Sequence, residues 1–148
     1  MTEIAFYHLQ RSNLEGVLPK LLEKTLGAGK RAVVMTGSPE RARTLSVHLW
    51  SYDPDSWMPH GAPGDGFEAN QPVWVTPEDE NPNGAAFLFL TDGAASDRMG
   101  TFERCFELFD GGNDEAVATA RSRWAAYKDA GHTLTYWQQS GQGQWEKK

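Results

Sequence analysis

The sequence predicts an α/β domain built on parallel strands, and three observations lead there. Short apolar runs alternate with helical periodicities through the first fifty residues, in the order strand, helix, strand, helix. Connections of that kind are almost always right-handed crossovers that return each strand parallel to the last. The chain has 148 residues, 39% of them hydrophobic, which suits one domain; at this length folding buries roughly two-thirds of the unfolded surface. The lone Cys105 excludes an internal disulfide and a paired-cysteine zinc site, so packing alone must hold the core.

Residues 4–9 are apolar and aromatic and read as a buried first strand. Leu14, Val17, Leu18, Leu21, Leu22 and Leu26 then fall on one helical face, with Asn13 as N-cap and Gly27 or Gly29 as stop. Pro19 breaks this pattern, because proline lacks the N–H that a helix interior donates. Either the first turn is irregular or regular helix begins near Leu18. Residues 31–36 form the second strand. Ser38, Pro39 and Glu40 supply an N-cap, a proline at the first helical position and an acidic first turn for a helix reaching Leu49 or Trp50. Residues 51–72 lack periodicity and hold four Pro and three Gly; loops this long inside a compact domain are often functional. Strands resume at 73–76, 86–90 and 105–109. Asp114 caps a last helix reaching Ala130, Gly131 stops it, and residues 134–137 make a final short strand. Residues 1–140 are expected to form the single domain and 141–148 a loosely held tail.

Charge is unevenly placed: residues 1–50 carry +3, 51–120 carry −12 and 121–148 carry +3, for a net −6. Affinity for a phosphate backbone needs many Lys and Arg contacts, so naked nucleic acid is not an expected ligand. The basic ends suit an acidic protein partner instead. No apolar run approaches the ~20 residues that span a bilayer, and the start lacks the features of a signal peptide. A soluble cytoplasmic protein with no membrane partner is expected.

Enzyme signatures fail in turn. The segment 27–31, GAGKR, lies after a helix rather than after a strand and has Arg31 where a phosphate-binding loop needs Ser or Thr. The turn Thr36-Gly37-Ser38 is placed to receive an anion, but it lacks the further glycines of a dinucleotide fingerprint. His8, His48, His60 and His132 have no metal-ligand spacing and are expected to serve as ordinary hydrogen-bonding groups. Cys105 lies in an apolar strand and reads as packing. Asp92 before Gly93 could place a carboxylate at the sheet's carboxyl edge, though Asp-Gly is also an ordinary turn. No catalytic, cofactor-binding or metal-binding residue is therefore assigned. A nucleotide-using enzyme built on Gly37 and Asp92 is the alternative, and it predicts saturable ATP or NAD binding.

The unusual feature is aromatic. Six Trp is heavy for this length, and Trp50, Trp57 and Trp145 lie at a helix end, in the long loop and in the tail, where no core demands them. Trp and Arg dominate binding hot spots. On the last helix Val117, Arg121, Trp124 and Lys128 share one face, a guanidinium beside an apolar shelf. Ala116, Ala120, Tyr127 and Ala130 form a neighbouring stripe fit for the core. Such a face suits an acidic-hydrophobic peptide or a terminal carboxylate.

A series of strings, in order along the chain, carries a resemblance: FYHL at 6–9, LPKLLEK in the first helix, ER…LW…YD…W-PHG over 40–61, QPVW, NGA…LFLTDGA, FERCFELFDG, AR-RWAAYK and the closing GH-LTYWQQ…G-WEKK. Together they resemble the chi subunit family of bacterial DNA polymerase III. The resemblance implies a Rossmann-like three-layer sandwich with a mixed, mostly parallel sheet and no nucleotide chemistry. It also implies an accessory protein of the clamp-loader complex, linked through a psi subunit, that grips the acidic C-terminal tail of single-stranded-DNA-binding protein with its terminal Phe carboxylate. Carried over, the tail site comprises Arg121 and Trp124 with Val117 nearby, and the psi-facing surface includes Trp50 and Trp57. A repair helicase is an alternative partner for the psi-facing surface. Two flanking positions that are basic in some members are Val117 and Ala125 here, which lowers the electrostatic share of tail binding.

Overall fold

The computed structural model describes residues 2–10, 13–52, 58–139 and 144–148. The strands are β1 (Glu3–Leu9), β2 (Ala32–Met35), β3 (Val73–Thr76), β4 (Phe87–Leu90), β5 (Arg104–Asp110), β6 (Thr133–Gln139) and β7 (Trp145–Lys147). They form one sheet in the order β3-β2-β4-β5-β1-β6-β7. Every neighbouring pair is parallel except β6 with β7, so the sheet is mixed and mostly parallel. α1 (Leu14–Gly27) and α2 (Pro39–Ser51) pack on one face and α3 (Asp114–Asp129) on the other, which gives the three-layer sandwich expected.

Cover on both faces explains why β2, β3 and β4 read AVVM, VWVT and FLFL and are buried at every position. β1 divides its side chains with the period of two of a strand: Ala5 and Leu9 join the α1/α2 layer, Ile4 and Phe6 the α3 layer. On the α3 side the segment between β4 and β5 contributes Met99 and Phe102, which seal Leu88, Leu90 and Trp74 beyond the reach of the helix.

The expected caps form at Asn13, which accepts from the Gly16 N–H, and at Ser38, which accepts from the Arg41 N–H. At α3 the cap is Asn113, accepting from the Ala116 N–H at 3.1 Å, and Asp114 becomes the first helical residue, where its charge still complements the helix dipole. Residues 145–147, expected in a loose tail, instead pair antiparallel with β6 as β7, and Trp145 meets the Tyr7 ring edge-on at 5.0 Å. Aromatic burial holds the chain end to the sheet. No helix among the described residues is long and apolar enough to cross a membrane.

Pro19 does not delay the helix: α1 is continuous from Leu14. The carbonyl that residue 19 would ordinarily serve, four residues back, belongs to Glu15. His48 of α2 reaches across and donates its Nε2–H to that oxygen at 2.6 Å. The histidine thus replaces the missing backbone donor and ties α2 to α1. His48→Ala is expected to cost about 1–2 kcal/mol by leaving that carbonyl short of a partner. Adding Pro19→Ala should recover part of the loss, because the new backbone N–H serves Glu15. Urea denaturation of the two single variants and the double variant checks this coupling, and strict additivity would refute it.

Candidate aromatic and cationic binding site

α3 packs an apolar stripe on the sheet. Ala120, Trp124 and Tyr127 share one face; Ala120 is buried, and Trp124 and Tyr127 pack their rings on Phe6 at 5.2 and 5.9 Å. Trp124 therefore belongs to the core-facing stripe as well as to the rim, whereas Ala130, expected in that stripe, is exposed past the last turn. The large indole reaches the sheet where an alanine cannot.

Beside this contact is a cavity of about 330 Å³ lined by Phe109, Val117, Ala120, Arg121, Trp124 and Tyr136. Val117, Arg121 and Trp124 of the sequence-derived face thus line one concavity, while Lys128, a turn or more along, is exposed and outside the lining. Trp124 and Tyr136 meet edge-on at 5.9 Å, and Phe109 leans on Tyr136 at 6.2 Å, so the wall is a braced aromatic cluster. Arg121 is exposed and has no ion-pair partner among the described residues. Among the described residues the lining contains no carboxylate, and its charged and polar side chains can all donate. An apolar recess with an unpaired guanidinium at its mouth can take an apolar or aromatic side chain together with an anion.

Phe109 and Tyr136 were invisible to the helix-periodicity reading, because they come from β5 and β6. Behind Tyr136 lies His8 of β1, whose Nδ1 is 2.6 Å from the Tyr136 hydroxyl. Burial holds the His8 imidazole below its ordinary value, with Arg121 acting the same way and Asp110 opposing. Burial holds the Tyr136 phenol above its ordinary value, with Arg121 opposing. Both groups are therefore neutral near pH 7.

On the α2 side, Trp50 is 51% exposed and its ring lies 4.2 Å from that of His60. His60 is buried, with Nδ1 2.9 Å from the Met58 carbonyl and Nε2 2.9 Å from that of Ser46. Val47, one turn before Trp50, is also exposed, as is Phe67. Trp57 lies outside the described residues.

A larger cleft, about 730 Å³, opens at the carboxyl ends of β1, β4 and β5. Four of its charged side chains, Glu15, Asp92, Glu107 and Arg123, are in ion pairs. Arg123 donates to both oxygens of buried Glu107 at 3.0 and 3.1 Å and to the carbonyls of Gly93 and Ala94. Asp92 accepts from Arg41 at 3.1 and 3.3 Å and from the Gly37 N–H at 3.4 Å. The anion received at the Gly37 turn is thus the protein's own Asp92 carboxylate, which ties together both parts of the nucleotide-enzyme alternative. Cys105 is fully buried, and burial pushes its thiol far up, away from the thiolate a nucleophile needs. Among the described residues no group of three or more His, Cys, Asp or Glu is placed to hold a metal ion.

A family model described as "DNA polymerase III chi subunit, HolC" matches residues 1–135. A curated protein of Rickettsia prowazekii (strain Madrid E), described as "Probable DNA polymerase III subunit chi", is 29% identical over 90 residues. That alignment covers 61% of this chain and 54% of the relative, so the chain spans about half of that protein's length. Because the family match runs from the residues preceding β1 into β6 and takes in all three layers of the sandwich, the chain belongs to the DNA polymerase III chi subunit family.

Proposed function

We propose that the chain is a non-catalytic accessory subunit of the DNA polymerase III clamp-loader assembly, and that it holds the acidic C-terminal tail of single-stranded-DNA-binding protein in the cavity between α3 and the β5/β6 edge of the sheet. The observation that carries this reading is Arg121, without an ion-pair partner among the described residues, at the mouth of an aromatic recess formed with Val117 and Trp124. The terminal Phe ring enters the recess, its carboxylate meets Arg121, and exposed Lys128 adds weaker attraction for the acidic residues before it. One short peptide buries little area and is ordered on binding, so the affinity is micromolar. Titration of a fluorescent tail peptide tests this: saturable micromolar binding that is lost when the terminal carboxylate is amidated is the expected result, and no binding would remove the assignment.

The second contact, with a psi subunit, uses the Trp50 surface together with Trp57. Trp50 rests on buried His60 and presents its other face outward, so it needs little ordering on association. Trp50→Ala is expected to abolish the psi complex while changing stability by no more than about 1 kcal/mol, since the ring is half exposed. Co-purification and thermal melting of that variant read the two quantities separately. Simultaneous loss of tail binding would count against two independent surfaces, because Arg121 belongs to a different helix.

A further inference from the structure

The hydrogen bonding of His8 determines what the cavity offers its ligand. His8 Nε2 is buried and has no hydrogen-bond partner among the described residues. It packs against the backbone of Gly111, where even a Cβ would come within 2.0 Å of it. His8 Nδ1 is paired, at 2.6 Å, with the Tyr136 hydroxyl. An uncharged imidazole carries one proton. On Nε2 that proton would be a buried donor aimed at a CH₂ group, and orphaned buried N–H groups are rarer than orphaned acceptors. A lone pair on Nε2 meets the Gly111 C–H groups instead, a weak but favourable contact. The proton therefore belongs on Nδ1, which donates to the Tyr136 oxygen. The hydroxyl hydrogen of Tyr136 is then not used by His8.

We infer that Tyr136 is a specificity-determining residue of the cavity: positioned by His8, it offers its O–H beside the Arg121 guanidinium, and the two donors together select a free carboxylate. This rests on the reading of the cavity as a tail site. The lining supports it further, because Arg121 and Tyr136 carry donor hydrogens and, among the described residues, no side chain there carries negative charge. The groups facing His8 from the neighbouring elements are Arg121 of α3, Asp110 of β5 and Tyr136 of β6. Burial and Arg121 both favour the neutral ring that this arrangement requires. His8 acts only through Tyr136 and is a positioning residue.

The probe is an acidic peptide ending in phenylalanine, made as the free acid and as the C-terminal amide. Tyr136→Phe keeps the ring and is expected to lower affinity for the free acid about threefold to tenfold, with no change for the amide. His8→Leu should weaken the free acid when Tyr136 is present and have no further effect on Tyr136→Phe. In the unaltered protein, ¹⁵N shifts of the His8 ring should show the proton on Nδ1, a reading that needs no variant to fold. A proton on Nε2, or equal losses for acid and amide, or unchanged affinity of Tyr136→Phe, overturns the inference. Failure is traced by Arg121→Ala: if that variant still loses the free acid while Tyr136→Phe does not, only the role of Tyr136 falls; if neither loses it, or the unaltered protein does not bind, the tail site falls as well.

Discussion

Arg121→Ala weakens tail-peptide binding by about 10- to 100-fold, as removal of a hydrogen-bonded charge partner does, and leaves the melting temperature almost unchanged. The asymmetry comes from the free protein: Arg121 is exposed and has no ion-pair partner among the described residues, so its removal breaks nothing until a ligand is present. Arg121→Lys should recover only part of the affinity, since an ammonium keeps the charge but not the two-pronged donor that matches a carboxylate. Val117 and Ala125 leave the site short of further cations, so the affinity should fall only shallowly with added salt. Anisotropy titrations of the three proteins at two salt concentrations check all of this. Equal affinities across them would place the tail elsewhere.

Arg123→Ala, two residues away, behaves in the opposite manner: it is expected to destabilise the fold by about 3–5 kcal/mol near pH 7, the usual cost of leaving a buried charge unpaired. The Glu107 side chain is 5% exposed and its partner Arg123 18%. Without Arg123 the carboxylate keeps, among the described residues, only a long contact from the Tyr127 hydroxyl, at 3.5 Å, and the segment at Gly93 and Ala94 loses its clip. Even with Arg123 in place, burial holds the Glu107 carboxyl above its ordinary 4.5, so desolvation outweighs the attraction. A carboxyl raised in this way binds its proton more tightly folded than unfolded. Its stabilising contribution is therefore complete below pH 4.5 and is lost as the pH rises through the folded value. The Arg123→Ala penalty should accordingly shrink as the pH falls, and Glu107→Gln should remove this part of the pH dependence. Arg123→Ala/Glu107→Gln should be more stable at pH 7 than Arg123→Ala alone. Denaturant titrations at pH 5 and 7.5 test this, and a penalty below about 1 kcal/mol would reduce the pair to an ordinary surface ion pair.

The elements of this protein were legible from the chain because each depends on neighbours a few residues apart. Asn13 and Ser38 cap their helices through bonds to residues three positions on, and the near-continuous apolar runs of β2 to β4 announce strands covered on both faces. Val117, Arg121 and Trp124 were legible for the same reason, a shared helical face. What the tertiary structure alone decided is everything that joins distant segments. Placing β1 between β5 and β6 sets His8 opposite Phe109 and Gln138 and brings the Tyr136 hydroxyl, 128 residues on, to the His8 ring. The cavity wall therefore draws on β5, α3 and β6, with β1 behind it. The repair of Pro19 by His48 and the burial of Arg123 against Glu107 are of the same kind. Period and capping record local backbone preference, whereas these contacts depend on strand order and register, which arise only when the two layers close on the sheet.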